Sequence, residues 1–335
     1  MSRTTRTATY ANLIIRFGKD EYLLDYLDNI VLPAFEPGLR RTYGKKTSYF
    51  FHDVKIDFVE CKEDPSLSTH IVFGSFVKNT YLSIPQQYDN KEGLIEVDSE
   101  VQSSPSAFFV VTLRNHKLIY MPETIHAPDL TSFQATLQNF LSATRKRWIT
   151  DQYLSDPKYG KRKELERSIP QPEVDIVALP SKESIALFVR QFDVIDHIQF
   201  QILKPNAEDF RSNVWRQFIE DVVDDLEADS AVLHTKKKDG FDKDKAQHQI
   251  RDATSGGNQR VVLQGYDEMG NKIKGDNESI KFTSHLYDVP SERRELASTL
   301  TKVFFGLIIA GTLRVDRGRD RYLDHPQVLK SFGDD

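Results

Sequence analysis

Apolar residues recur along this chain with two periods, and the changes between them predict its elements. Thr9 to Phe17 (TYANLIIRF) reads as a strand, and from Asp20 to Leu32 the spacing of Tyr22, Leu23, Tyr26, Leu27 and Ile30 is that of a helix. Five stretches follow that are rich in β-branched and aromatic residues: SYFFHDVKIDFVEC, HIVFGSFV, GLIEVD, AFFVVTL and KLIYM. Gly, Pro, Asn and Asp punctuate them, so they predict a mainly antiparallel sheet. After Pro128 the period lengthens again. Asp129 is placed to cap a helix in which Leu130, Phe133, Leu137, Phe140 and Leu141 make one stripe that covers the sheet.

A dense cationic stretch, TRKRWITDQYLSDPKYGKRKELER from Thr144 to Arg167, is broken by Pro157 and Gly160 and marks the expected domain boundary. Beyond it EVDIVALP reads as a strand, SKESIALFVRQF as a helix, and HIQFQILKP as a strand turning Ile198, Phe200 and Ile202 inward. The segment after Pro205 carries an apolar face of Phe210, Val214, Trp215, Phe218, Ile219, Val222, Val223 and Leu226, the clearest helical pattern on the chain. Strands AVLHTKKK, QRVVLQGYDE and SIKFTSHLYD come next, with a polar connection between the first two, and a last helix runs from Ser291 to about Ala310. The fold class expected is α+β, with two domains, 1–168 and 169–335. Each is a mainly antiparallel sheet with covering helices, and the last helix is free to pack back on the first domain.

Length agrees, since 335 residues exceed what one core usually organises. The hydrophobic fraction of 39%, with 21 Phe and 13 Tyr, is enough for two cores. One cysteine, Cys61, excludes an internal disulfide and a multi-cysteine zinc site, which fits a reducing compartment. MSRTTRTATY has no secretory pattern, and the longest apolar run, Val303 to Gly311, is too short to cross a bilayer. The expected location is the cytoplasm.

Enzymatic motifs are scarce. GxxxxGK[ST], GxSxG and HExxH are absent, the nine histidines never fall at HxH or HxxxH spacing, and no cofactor or metal site is expected. The nearest catalytic constellation is HDVKIDFVECK, where Asp57, Glu60 and Lys62 resemble the acids and lysine of a Mg²⁺-dependent nuclease. Alternation alone explains that stretch as a half-buried strand with its polar residues in water. No catalytic residue is assigned, and the chain is read as a non-enzyme. A protein-interaction module using the acidic face of the Pro205 helix is the other alternative.

Charge distribution carries more. The net charge is −5, yet cations gather locally. Arg40, Arg41, Lys45 and Lys46 interleave with Tyr43 and Tyr49, and Arg145, Lys146, Arg147, Lys161, Arg162 and Lys163 straddle the expected boundary. Lys204, Arg211 and Arg216 open the long helix, Lys236, Lys237 and Lys238 end a strand, and Arg260, Lys272 and Lys274 flank one hairpin. A single cluster is more often a solvated surface than a site. Several in an acidic chain point to segregated charge, and hence to backbone contacts with nucleic acid that are sensitive to salt and indifferent to sequence.

The segment VVLQGYDEMGNKI and, upstream, VALPSKESIALFVRQFDVIDHIQFQILKP set out an order of motifs: Leu179-Pro180, a helix, a strand ending in Lys204-Pro205, an amphipathic helix, then a strand leading to Asp267-Glu268-Met269-Gly270. This order resembles that of the RexA proteins of temperate-phage exclusion systems. TATY (Thr7 to Tyr10) and PSAFFV (Pro105 to Val110) fall in compatible places, so short motifs in matching order touch most of the chain. The resemblance implies a homodimer that binds double-stranded DNA without sequence preference, works with a separate membrane protein encoded nearby, and triggers exclusion when another phage infects. The family carries basic side chains just before DE-x-G, where this chain has Gln264 and Tyr266. Those two retain only hydrogen bonding to phosphate. Arg260, Lys272 and Lys274 of the same ribbon are then expected to supply the charge.

Overall fold

The computed structural model describes residues 5–18, 21–155, 162–203, 228, 230–254 and 256–315. The fold is α+β, built on two antiparallel sheets. Among the described residues the larger sheet has ten strands. Its first eight are β1 (Arg6–Phe17), β2 (Glu21–Tyr22), β3 (Arg41–Tyr43), β4 (Thr47–Val59), β5 (Thr69–Asp89), β6 (Gly93–Ser103), β7 (Ser106–Thr112) and β8 (Lys117–Pro122). β1, β7 and β8 are apolar on both faces because both are covered. Ala11, Leu13, Ile15, Phe109, Val111 and Leu118 meet helix α1 (Leu130–Ser155) through Phe133, Leu137, Phe140 and Leu141. Tyr10, Phe108, Val110, Ile119 and Met121 face the last helix, Arg293–Ile309, through Leu296, Leu300 and Phe304. Helix, sheet and helix make three layers.

The stretch expected as one regular helix from Asp20 to Leu32 instead gives the short strand β2 and then three short helical segments over residues 23–35. Pro33 lacks an N–H and Leu27, Ile30 and Val31 all seek the core, so packing overrides the regular period. In its described residues the cationic stretch is helical. α1 runs through it to Ser155, and α2 (Arg162–Ser168) packs beside it with Leu165 in the same core.

Sheet membership does not follow a division at 168. β9 (Pro172–Ala178) pairs with β1 from Ala11 to Phe17, and β14 (Thr283–Leu286) pairs with β1 from Arg6 to Thr9. The two lie end to end on one edge of β1. Pro180 bridges Lys281, and the Phe282 N–H donates to the Leu179 carbonyl at 2.8 Å. The chain between them leaves the large sheet and returns at the same point, so the smaller unit is an insertion over 181–281. Buried polar groups tie it back. The Asn12 amide donates to Asn258 Oδ1 at 2.8 Å, while Lys117 Nζ, wholly buried, donates to Asn12 Oδ1 at 2.8 Å.

Candidate nucleic-acid interface

The insertion holds the second sheet, in the order β11 (Ser230–Lys236), β10 (Val194–Leu203), β12 (Gln259–Tyr266), β13 (Lys272–Asp276). Strand alternation gives it an apolar and a polar face. Ile195, Ile198, Phe200, Ile202, Val261 and Leu263 point inward. They meet α3 (Lys182–Arg190) and α4 (Lys243–Thr254) through Ile185, Phe188, Val189, Ala246 and Ile250. α4 falls in a stretch that reads as a polar connection. Its signal is only Ala246, Ile250 and Ala253 at helical spacing, a narrow stripe among charges. α3 and α4 lie on one side, which leaves the alternate residues of each strand on the other.

Register lines those residues up. His197 stands opposite Lys236 on one side and Gln264 on the other, and Gln264 stands opposite Lys274. Lys236, His197, Gln264 and Lys274 therefore form one row across all four strands, about 14 Å wide at the usual strand spacing. Two residues along β12, Tyr266 faces Lys272. Lys236, Lys272, Lys274 and Tyr266 are exposed, while Ile273 and Gly275 alternate inward. The ribbon's turn is set by Asp267, whose Oδ1 accepts the N–H groups of Met269 and Asn271 at 2.9 and 2.8 Å, and by Gly270 at φ +79°. The Asn271 side-chain amide, which donates to Oδ2 at 3.0 Å, and then the Asn271 and Met269 N–H groups hold the Asp267 carboxyl below its usual pKa. Lys237 and Lys238 continue from β11 into an exposed turn, where the Lys237 N–H donates to the Asp196 carbonyl at 3.0 Å.

The two histidines in the middle read as isolated in the sequence. Antiparallel register of β10 on β11 sets Gln199 opposite His234, diagonal to His197, and the two Nε2 atoms meet. Their ring centroids are 4.3 Å apart. Aligning DHIQFQ against AVLHTK with Lys236 opposite His197 would have found the pair.

Other candidate cations are placed differently. Arg260 lies on the same face at its opposite end, but its guanidinium pairs with Asp175 of β9 at 2.8 Å. It lines a groove of about 560 Å³ between the sheet and α1, together with Gln134, Gln138, Gln199 and Gln201. Arg145 is not a surface group. It is buried, and its Nε and guanidinium donate to the Ile169 and Glu166 carbonyls, closing the end of α2. Burial pulls its pKa below the usual arginine value, against the influence of Glu166 and Tyr26. Arg147 pairs with Glu36 at 2.9 Å and Arg162 with Glu166 at 3.0 Å, whereas Lys146 and Lys163 are exposed. This group belongs to the C-terminal half of α1 and to α2, away from the lysine row. Lys46 pairs with Glu100 at 2.5 Å, and Arg40 covers the Phe50 ring at 4.2 Å. Lys161, Lys204, Arg211 and Arg216 lie outside the described residues, as does the helix read after Pro205.

Of the nuclease residues, Asp57 is paired with Arg294 at 3.0 Å, while Glu60 and Lys62 line a cavity of about 640 Å³ against the last helix; among the described residues no three His, Cys, Asp or Glu side chains converge as metal ligands do. No protein-family model and no curated protein matches the chain. Among the described residues, no helix is long and apolar enough to cross a membrane.

Proposed function

We propose that this chain binds double-stranded DNA through the sugar-phosphate backbone, without reading sequence, as a homodimeric sensor in phage exclusion. One observation carries the binding: Lys236, Lys272 and Lys274, with Gln264 and Tyr266 between them, share one face of the second sheet, and the three lysines are exposed. Lysines so placed displace counterions from phosphates, and the amide and phenol add hydrogen bonds that carry no base information. The biological setting, including a membrane-protein effector encoded nearby, rests on the RexA-like order of motifs alone. A two-fold dimer presents two such faces and raises affinity through effective concentration.

Arg260 leaves the set of leading contacts because Asp175 already neutralises it. The test is therefore charge reversal at Lys236, Lys272 and Lys274 together, read by the mobility of a random-sequence duplex at two salt concentrations. Three lysines per protomer, six per dimer, predict a log-log salt slope near −5 at about −0.9 per phosphate contact. The triple variant should lose at least about a hundredfold in affinity. Unchanged affinity, or a flat response to salt, rejects the reading.

A further inference from the structure

The imidazole pair in the middle of the lysine row has no part in the backbone contacts just described. His197 and His234 come from neighbouring strands, both lie toward solvent, and their Nε2 atoms are in contact. Two ring nitrogens so placed can share one proton, as N–H···N, but cannot both carry one without repulsion. The pair therefore exists as neutral or as singly charged.

Its surroundings decide which form prevails. On β11 the neighbour is Lys236, on β12 it is Gln264, which has no charge, on β13 they are Lys272 and Lys274, and on β10 itself Asp196 adjoins. Among these described neighbours cations outnumber carboxylates. Partial loss of solvent around the ring, then His234, Lys236 and Lys272, hold the His197 pKa below the usual histidine value, with Asp196 working the other way. Alone, the row resists a further positive charge. A polyanion laid along it reverses that balance, because each phosphate neutralises the lysines and favours the added proton.

We infer that His197 and His234 act as one proton-gated cation in the row, so that the face takes up a proton when it binds a polyphosphate backbone and holds it more tightly as pH falls. The sign follows from linkage. If the bound state carries more protons than the free state, affinity is greatest where the pair is protonated and declines as pH rises through its titration. The same cationic surroundings disfavour a transition metal bridging the two rings, although neutral imidazoles are otherwise good ligands.

The inference rests on the DNA-binding reading, and one experiment separates their fates. Affinity for a random-sequence duplex is measured at pH 7.5 and 5.5 at fixed ionic strength with EDTA throughout. The wild type is compared with a His197→Gln/His234→Gln variant whose fold is checked by circular dichroism. An uptake averaging half a proton per protomer over these two pH units contributes about tenfold per protomer, so binding of the dimer should be about a hundredfold tighter at pH 5.5. The variant should lose this dependence, its affinity changing less than about twofold between the two pH values. Equal affinity of the wild type at both values, or the same gain in the variant, overturns the proton gate and leaves DNA binding standing. A gain absent with EDTA but present in a parallel measurement without it means metal bridging and also overturns it. Absence of binding at either pH removes both. Should the variant misfold, a pair titrating as two independent histidines by NMR in the wild type overturns the gate.

Discussion

Gly265 shows how one residue places the whole cationic face. It sits between Gln264 and Tyr266, opposite Ile195 where β10 bulges before His197. A Cβ there would come within 1.9 Å of the Val194 carbonyl oxygen and 2.9 Å of the Ile195 Cα. Both are backbone atoms and cannot swing away. Gly265→Ala should therefore push the two strands apart, costing about 1–3 kcal/mol in urea unfolding and weakening duplex binding by disturbing the row. A variant of wild-type stability would show that the strands adjust freely. Such close approach is invisible in GYDE as text, where the glycine reads only as a turn neighbour. Lys272 and Lys274, by contrast, were legible as exposed cations because period-2 alternation around Ile273 suffices to orient them.

At the level of elements, α1 does more than cover the sheet. β9 is an edge strand whose outer side would leave backbone groups open. Gln138 Oε1 accepts the Val174 N–H at 2.8 Å, its Nε2 donates to the Pro172 carbonyl at 2.7 Å, and Gln134 Nε2 donates to the Val174 carbonyl at 2.8 Å. Two glutamines one turn apart stand in for a neighbouring strand. Gln138→Leu should remove both of its bonds to β9, leaving the Val174 N–H without that partner at a cost of about 1–3 kcal/mol. Hydrogen exchange at the Val174 amide would accelerate if so, and an unchanged rate would refute the role. The apolar stripe of α1 was readable from its period. These polar duties were not, because they depend on which strand lies alongside. Arg145 makes the same point. In a run of cations it reads as surface, yet the return of α2 encloses it and gives its guanidinium two carbonyls.

For the whole molecule, the insertion of 181–281 into an otherwise continuous sheet has a mechanical consequence. Its entry and exit meet at the Pro180 and Lys281 bridge, so closing the chain there costs little loop entropy. Replacing 181–281 by a two-glycine link should leave the ten-stranded sheet folded, with its strand signal in circular dichroism, while abolishing duplex binding. Stability should fall, since the Asn12 to Asn258 bond and the Arg260 to Asp175 pair are lost. A chain that fails to fold would show that the small sheet is an obligate part of the large one.

Hydrophobic period alone was enough to give the α+β class, the longer described strands and the covering helices α1, α3 and Arg293–Ile309, though not α4 or the short strands β2, β3 and β13, because each reports local side-chain alternation against one core. Which strands share a sheet was decided only in three dimensions. β9 and β14 join β1 from more than a hundred residues apart on opposite sides of an insertion, and nothing in either stretch records its partner. The same holds for the basic groups. Their number and exposure are sequence properties, but whether they stand in one row, pair with acids or become buried depends on cross-strand register and long-range packing, which no local pattern contains.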